Sequence, residues 1–266
     1  FGTVGGYLWN RPEELDPSEE SNDAFKVFKR SKAFDRMKGP RRAKLEFDIL
    51  DLLGRKGRGV PKVHMFGTTT DGYLYMGMER IKGLSLETVI RCVKAGVGHD
   101  SEKQAQWPTQ WMYLVIASLA QSMYEIHNLD DMGEVAVESD GEGQALKDSG
   151  LLRQGKNVRI LHRDIKPENV MLTVGGLLKI LDFGTSKWKG GDTDLTQFTE
   201  EGQVFGTPDY LFPEGILLDD SNPPSEKSDV YSLGCTVNKL LTGSAPYAHL
   251  SDASTKLQAH INEDGG

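Results

Sequence analysis

The sequence predicts an α+β fold in two lobes, a small strand-rich N-terminal part followed by a larger, mainly helical one. Short alternating segments and a single helical stripe fill the first third, and long helical segments occupy most of the rest. A glycine-centred hairpin signal lies between the two longest of those helices.

In chain order, Ala24-Phe25-Lys26-Val27-Phe28 alternates as a strand, and Tyr73-Leu74-Tyr75-Met76-Gly77-Met78 is a second. Between them, Gly39-Pro40 leads into a helix over 41–54. Its apolar residues 45, 49, 52 and 53 form one stripe, with proline near the start and glycine at the end. A helix is predicted from near Pro108 to near His127, another from near Ser228 to Gly243, and a last one from near Ser254 to Ile261. Val170-Met171-Leu172-Thr173 and Leu177-Leu178-Lys179-Ile180-Leu181 flank Val174-Gly175-Gly176, whose glycines suit a tight reversal. No internal repeat is present.

Composition narrows the function classes. With 266 residues, 38% hydrophobic and 26% charged, the chain has a globular balance and length enough for a sizeable core. A net charge of −8 argues against a dedicated nucleic-acid binder. Two cysteines, Cys92 and Cys235, make neither a disulfide framework nor a structural zinc site. A reducing compartment, cytoplasmic or nuclear, is therefore expected. The longest uncharged stretch has an apolar centre, Trp111 to Ala120, roughly half of the ~20 residues a spanning helix needs, so no membrane insertion is expected. No signal pattern opens the chain at Phe1. Residues 11–23 hold six acids and one base, and residues 128–150 hold seven acids, one base and four glycines, without periodicity. Both read as acidic surface inserts, the second extending to about 157, and without 11–23 and 128–150 the rest of the chain stands at about +3.

The chemistry concentrates in Leu161-His162-Arg163-Asp164-Ile165-Lys166-Pro167-Glu168-Asn169, followed by the hairpin and then Asp182-Phe183-Gly184. Asn169 precedes the first strand of the hairpin and Asp182 closely follows the second, so an antiparallel pairing sets them side by side at its open end. Asp164 stands five residues before Asn169 and must be close, with Lys166 beside it. Two carboxylates and an amide oxygen so placed suit Mg²⁺, which takes one or two carboxylates plus phosphate oxygens and water.

His162-Arg163-Asp164, Asn169 and Asp182-Phe183-Gly184 resemble, in order and spacing, the catalytic-loop and metal-binding motifs of eukaryotic-type protein kinases. Gly206-Thr207-Pro208-Asp209-Tyr210, Phe212-Pro213-Glu214 and Ser228-Asp229-Val230-Tyr231-Ser232-Leu233-Gly234 follow in the family's order. Lys166 within Asp-Ile-Lys-Pro-Glu-Asn, with Thr207, resembles the serine/threonine branch. Asp182 to Lys187 and the Gly-Thr-Pro-Asp-Tyr run look similar to its AGC group.

The resemblance implies an N-lobe over 1–78, a hinge over 79–83 and a C-lobe over 84–266, with an activation segment over 182–214. It implies Asp164, Lys166 and Asn169 as catalytic residues: Asp164 taking the proton of the attacking hydroxyl, Lys166 neutralising phosphoryl charge. Asn169 and Asp182 would hold the metals, Mg²⁺ or Mn²⁺ in its place, that bridge the phosphates of ATP. Lys26 matches the phosphate-contacting lysine, with Lys29 and Lys32 as competitors. It shares a strand face with Ala24 and Phe28, so its charge needs a partner, and Glu46 fills that place. Met78, Glu79 and Ile81 resemble the gatekeeper and hinge that bond adenine, with Ala24 and Met171 on either side of it. Gly2 and Val4 resemble the second half of the glycine-rich loop.

His162, Arg163, Phe183, Gly184, Glu214 and Asp229 are implied as the internal scaffold, His162 packed rather than acting as a base. Arg163 implies a phosphate on the activation segment, with Thr199 or Thr196 as candidates, Thr193 as a further one, and an upstream activating kinase as a partner. Against the family pattern the chain reads as clipped at both ends, and the arginine that normally pairs with the glutamate matched by Glu214 has no counterpart. The expected activity is transfer of the ATP γ-phosphoryl group to serine or threonine hydroxyls of protein substrates. An inactive kinase-like scaffold is the alternative. A small-molecule kinase is disfavoured by the well-formed Gly206 to Glu214 segment.

Overall fold

The computed structural model describes residues 23–28, 39–55, 57, 59–95, 109–128, 159–185, 187–189, 207–217 and 223–262. The sequence expectations at Gly2, Val4, Thr193, Thr196 and Thr199, on Lys29 and Lys32, and in nearly all of both acidic inserts lie outside them.

The N-terminal region is a three-stranded antiparallel sheet with one helix on it. Strand β1 (Asp23–Phe28) pairs with β3 (Leu74–Glu79), which also pairs with β2 (Val63–Thr68), in the order β1-β3-β2. The alternation of 24–28 is that of a strand, and it starts at Asp23, a residue earlier assigned to the acidic insert. Strand β2 has no alternating signature because its register shifts between Val63 and Met65.

Helix α1 (Gly39–Arg55) buries Ala43, Glu46, Ile49, Leu50 and Leu53, the i, i+3, i+4 face of an amphipathic helix. Glu46 thus sits on the apolar stripe, where a carboxylate without a partner would be costly. Arg55 in the last turn complements the helix dipole.

The helix-rich region begins with β4 (Gly83–Ser85) and α2 (Leu86–Lys94), two elements without a sequence expectation. The Ser85 side chain caps α2 by accepting from the Thr88 amide. Helix α3 (Thr109–His127) buries Val115, Leu119, Met123 and Ile126 along one face. Strands β6 (Val170–Thr173) and β7 (Leu178–Ile180) form the predicted hairpin, with Gly176 at φ +80° in its turn, and β4 pairs on the other side of β6. Three-residue strands β5 (Arg159–Leu161) and β8 (Lys187–Lys189) pair antiparallel.

Further on lie the short helix α4 (Pro213–Leu217), then α5 (Glu226–Thr242) and α6 (Ala253–Asn262). The Ser225 amide donates to the Ser228 hydroxyl at the start of α5, and Gly243 closes it at φ +75°. The result is a bilobal, kinase-like arrangement. One continuous core joins Ile49, Leu53 and Met76 to Leu119, Ile126, Ile160, Val170, Ile180 and Leu240. No described helix is long and apolar enough to cross a membrane.

Candidate active site

The bend at 162–164 is held by one buried carboxylate. Asp229, in the first turn of α5, accepts from the His162 amide at 2.8 Å, the Arg163 amide at 2.7 Å and the His127 ring at 2.8 Å. These bonds hold a bend in which Arg163 takes φ +68°, a conformation that non-glycine residues rarely adopt. His162 is fully buried, its ring edge-on to Phe183 at 4.6 Å. Its Nδ1 accepts from the Asp164 amide at 3.3 Å and its Nε2 meets the Leu181 carbonyl at 3.0 Å, so both nitrogens are engaged. That is a packed ring and not a free base.

Beyond the bend, Asp164, Lys166, Asn169 and Thr207 form one network. Lys166 Nζ donates to Asp164 Oδ2 at 2.7 Å and to Thr207 Oγ1 at 2.8 Å. Asn169 Nδ2 donates to the Asp164 carbonyl at 2.9 Å and to Oδ2 at 3.1 Å. Oδ2 therefore carries two donors, while Oδ1 receives only the Thr207 hydroxyl at 3.4 Å. Oδ1 is thus the less occupied of the two carboxylate oxygens among the described residues.

The second network crosses the two regions. Lys26, on the central face of β1, donates to Glu46 Oε1 at 2.6 Å and to Asp182 Oδ1 at 2.9 Å, and lies 5.5 Å from the Phe28 ring centre. Burial works to lower the Lys26 pKa, but Glu46 and Asp182 outweigh it and hold the ammonium above its ordinary value. Burial would likewise raise Asp182, yet Lys26, His162 and the Gly184 amide carry it below the usual carboxylate range. Burial pushes Glu46 up, with Lys26 opposing. At 2.6 Å, Lys26 and Glu46 form an ion pair that Asp182 shares from the other side of the ammonium. Asp182 sits at φ +62°, and its Oδ1 also receives the Gly184 amide. Arg42 on α1 donates to the Gly184 carbonyl, tying the helix to the same segment.

Asn169 and Asp182 meet through the backbone, where the Leu181 amide donates to the Asn169 carbonyl at 2.8 Å. Asn169 spends its amide nitrogen on Asp164, which leaves its side-chain oxygen as the acceptor. Asp182 Oδ2 carries neither Lys26 nor the Gly184 amide. Among the described residues no group of three or more His, Cys, Asp or Glu side chains forms a metal cage. An amide oxygen and one carboxylate oxygen suit a hard cation that draws its other ligands from phosphate and water, so the donor set fits Mg²⁺.

The other predicted positions fall around these networks. Ala24 pairs with Met78 across β1 and β3, and Met78 is buried. Met171 pairs with Ser85. Glu79 ends β3, and Ile81 lies in the link to β4. The Glu79 side chain turns to Lys179 at 3.0 Å and accepts from the Lys62 amide. Phe183 is buried, and Glu214 is half-buried in α4. Sequence reasoning did not single out Lys239, Lys256 or Glu87, which border the Asp164 network. Their partners lie elsewhere along the chain, so no local motif marks them.

The protein kinase domain model matches residues 154–264. The serine/threonine-protein kinase PknB of Mycobacterium leprae is 39% identical over 105 residues, 40% of this chain and 16% of that protein. The probable serine/threonine-protein kinase PknB of Corynebacterium glutamicum is 34% identical over 113 residues, 42% of this chain and 17% of that protein. The serine/threonine-protein kinase PknA of Mycobacterium tuberculosis is 39% identical over 104 residues, 39% of this chain and 22% of that protein. The match thus spans less than a quarter of these relatives' lengths. Over residues 154–264 the chain is thus similar to the catalytic domains of serine/threonine protein kinases, and its bilobal arrangement agrees with that likeness.

Proposed function

We propose that this chain transfers the γ-phosphoryl group of ATP to serine or threonine hydroxyls of protein substrates. The observation that carries the reading is Lys26 bonded at once to Glu46 and Asp182, because it links the N-terminal sheet to the open end of the hairpin that carries Asn169. In this reading Asp164 Oδ1 takes the proton of the acceptor hydroxyl and Lys166 offsets the charge that develops on the transferred group. Asn169 and Asp182 supply the protein oxygens of the Mg²⁺ site, where the cation neutralises phosphate charge. The link 79–83 between the two regions serves as the hinge, with 1–78 and 84–266 as the lobes. Met78, Glu79, Ile81, Ala24 and Met171 surround the adenine, and Gly2 and Val4 cover the phosphates. The use of ATP supports a cytoplasmic or nuclear place of action.

Regulation by phosphorylation of Thr199 or Thr196 belongs to the same reading. Arg163 supports it: among the described residues its buried Nε has no hydrogen-bond partner, and burial together with the neighbouring Arg42 lowers its pKa. A phosphate there would relieve both conditions.

The test is transfer from labelled ATP to a generic basic protein, with Asp164→Asn beside the unmodified chain. Loss of about 10²-fold or more in Asp164→Asn is expected for removal of a general base. Equal signal from both proteins would overturn the catalytic reading in favour of a kinase-like scaffold.

A further inference from the structure

The surface beside Asp164 carries three more carboxylates, and the protein neutralises each from within. A segment that presents a hydroxyl to Asp164 must cross the ledge formed by 164–168 and by Thr207 to Tyr210, since Thr207 touches both Asp164 and Lys166. Glu168, 45% exposed, stands on the first part of that ledge, and Asp209 on the second. Glu87 enters from the first turn of α2. Burial, then Glu168, Glu87 and Asp209, hold the Tyr210 phenol above its ordinary pKa, and Lys239, which faces Glu87 and Glu168, also lies over the Tyr210 ring. Left open, such a cluster would attract a basic side chain of a substrate.

Two lysines from helices otherwise remote from the reacting atoms fill that role. Lys239 of α5 places Nζ 2.5 Å from Glu87 Oε2 and 4.0 Å from Glu168 Oε1, and 5.9 Å from the Tyr210 ring centre. Lys256 of α6 places Nζ 2.5 Å from Asp209 Oδ1. Their side chains are only 15% and 18% exposed, so each is lodged in the ledge and not swinging over it.

We infer that Lys239 and Lys256 are specificity-determining residues that occupy, from inside the protein, the places an acceptor's own Arg or Lys would take. The acceptor is therefore a serine or threonine segment without basic residues beside its hydroxyl. A substrate cation brought to the ledge meets a resident like charge and finds its carboxylate already paired. The inference rests on the phosphotransfer reading for where the acceptor lies.

The experiment uses the full chain and two matched threonine peptides, with Ala or Arg flanking the acceptor. Binding is followed by fluorescence anisotropy and turnover by kcat/KM, for the unmodified chain, Lys239→Met, Lys256→Met and Lys239→Arg. The unmodified chain should bind the Arg peptide no more tightly than the Ala peptide. Each Met variant should raise the Arg-to-Ala ratio about fivefold, through KM, with the gain shrinking as salt is added. Lys239→Arg should keep the unmodified ratio. An unmodified chain that already favours the Arg peptide to that extent overturns the inference, as do folded Met variants with an unchanged ratio. Should Lys239→Met fail to fold by circular dichroism, Lys256→Met and the unmodified ratio decide. Turnover that is equal in Asp164→Asn overturns phosphotransfer alone, because the anisotropy ratio is read without it.

Discussion

Asp229 shows how much a single buried acid can hold. It satisfies two adjacent backbone amides and a histidine ring from two separate parts of the chain, and it has no exposure of its own. Asp229→Ala strands all three donors, so a loss of about 3 kcal/mol or more is expected in chemical denaturation. Activity should fall further than stability does, because the Arg163 bend that aims Asp164 relaxes. Lys26 behaves differently, since its partners are charged. Lys26→Met leaves Glu46 buried beside Asp182 and should cost about 3–5 kcal/mol at neutral pH. The folded pKa of Lys26 is raised, so its contribution is complete below the ordinary 10.5 and declines as pH rises from there through the folded value. Melting curves of both proteins should therefore keep a constant gap up to about pH 10 and converge above it.

Among the elements, two glycines act for different reasons. Gly243 ends α5 at φ +75°, and its amide reaches the Lys239 carbonyl at 2.8 Å. Gly243→Ala should cost about 1 kcal/mol and fray the last turn, the one that carries Lys239, as hydrogen exchange would register. At Gly83 the limit is space. A Cβ there would lie 2.1 Å from the Leu172 carbonyl oxygen, so the β4–β6 pairing exists only with glycine. Gly83→Ala should lower stability by more than about 2 kcal/mol and weaken ATP binding, measured by calorimetry, because the link from β3 into β4 loses its anchor.

At the scale of the molecule, polar contacts among the described residues tie the two regions together, beside their shared core, at two places. One is the Lys26–Asp182 contact with the Arg42 bond to Gly184. The other is β7, where Lys179 reaches Glu79 and the Val60 carbonyl while the Ile180 amide bonds Gly59. Lys179→Met removes the charged half of the second junction. A loss of about 1–2 kcal/mol is expected, with faster hydrogen exchange at 59–62 and little change at Asp229. The first junction should persist, since it shares no residue with the second.

How far the sequence reached varies with the range of the interaction. The hairpin and the four long helices were legible within a residue or two, because periodicity and the flanking glycine and proline are local signals. Strands β5 and β8 were not, since three residues carry no period, and β2 was hidden by its bulge. The motifs named Asp164, Asn169 and Asp182, and they left Lys26 competing with Lys29 and Lys32. Lys26 bonds to Glu46 and Asp182, while Lys29 and Lys32 lie outside the described residues.

The sequence by itself determined the order of the long elements and which chemistry-bearing residues stand close together, because those reside in short contiguous motifs with fixed spacing. Only the tertiary structure decided which charges meet. Lys239, Lys256 and Lys179 each find their acids far along the chain, and a charge in a helix or strand carries no local mark of the partner that folding will bring to it.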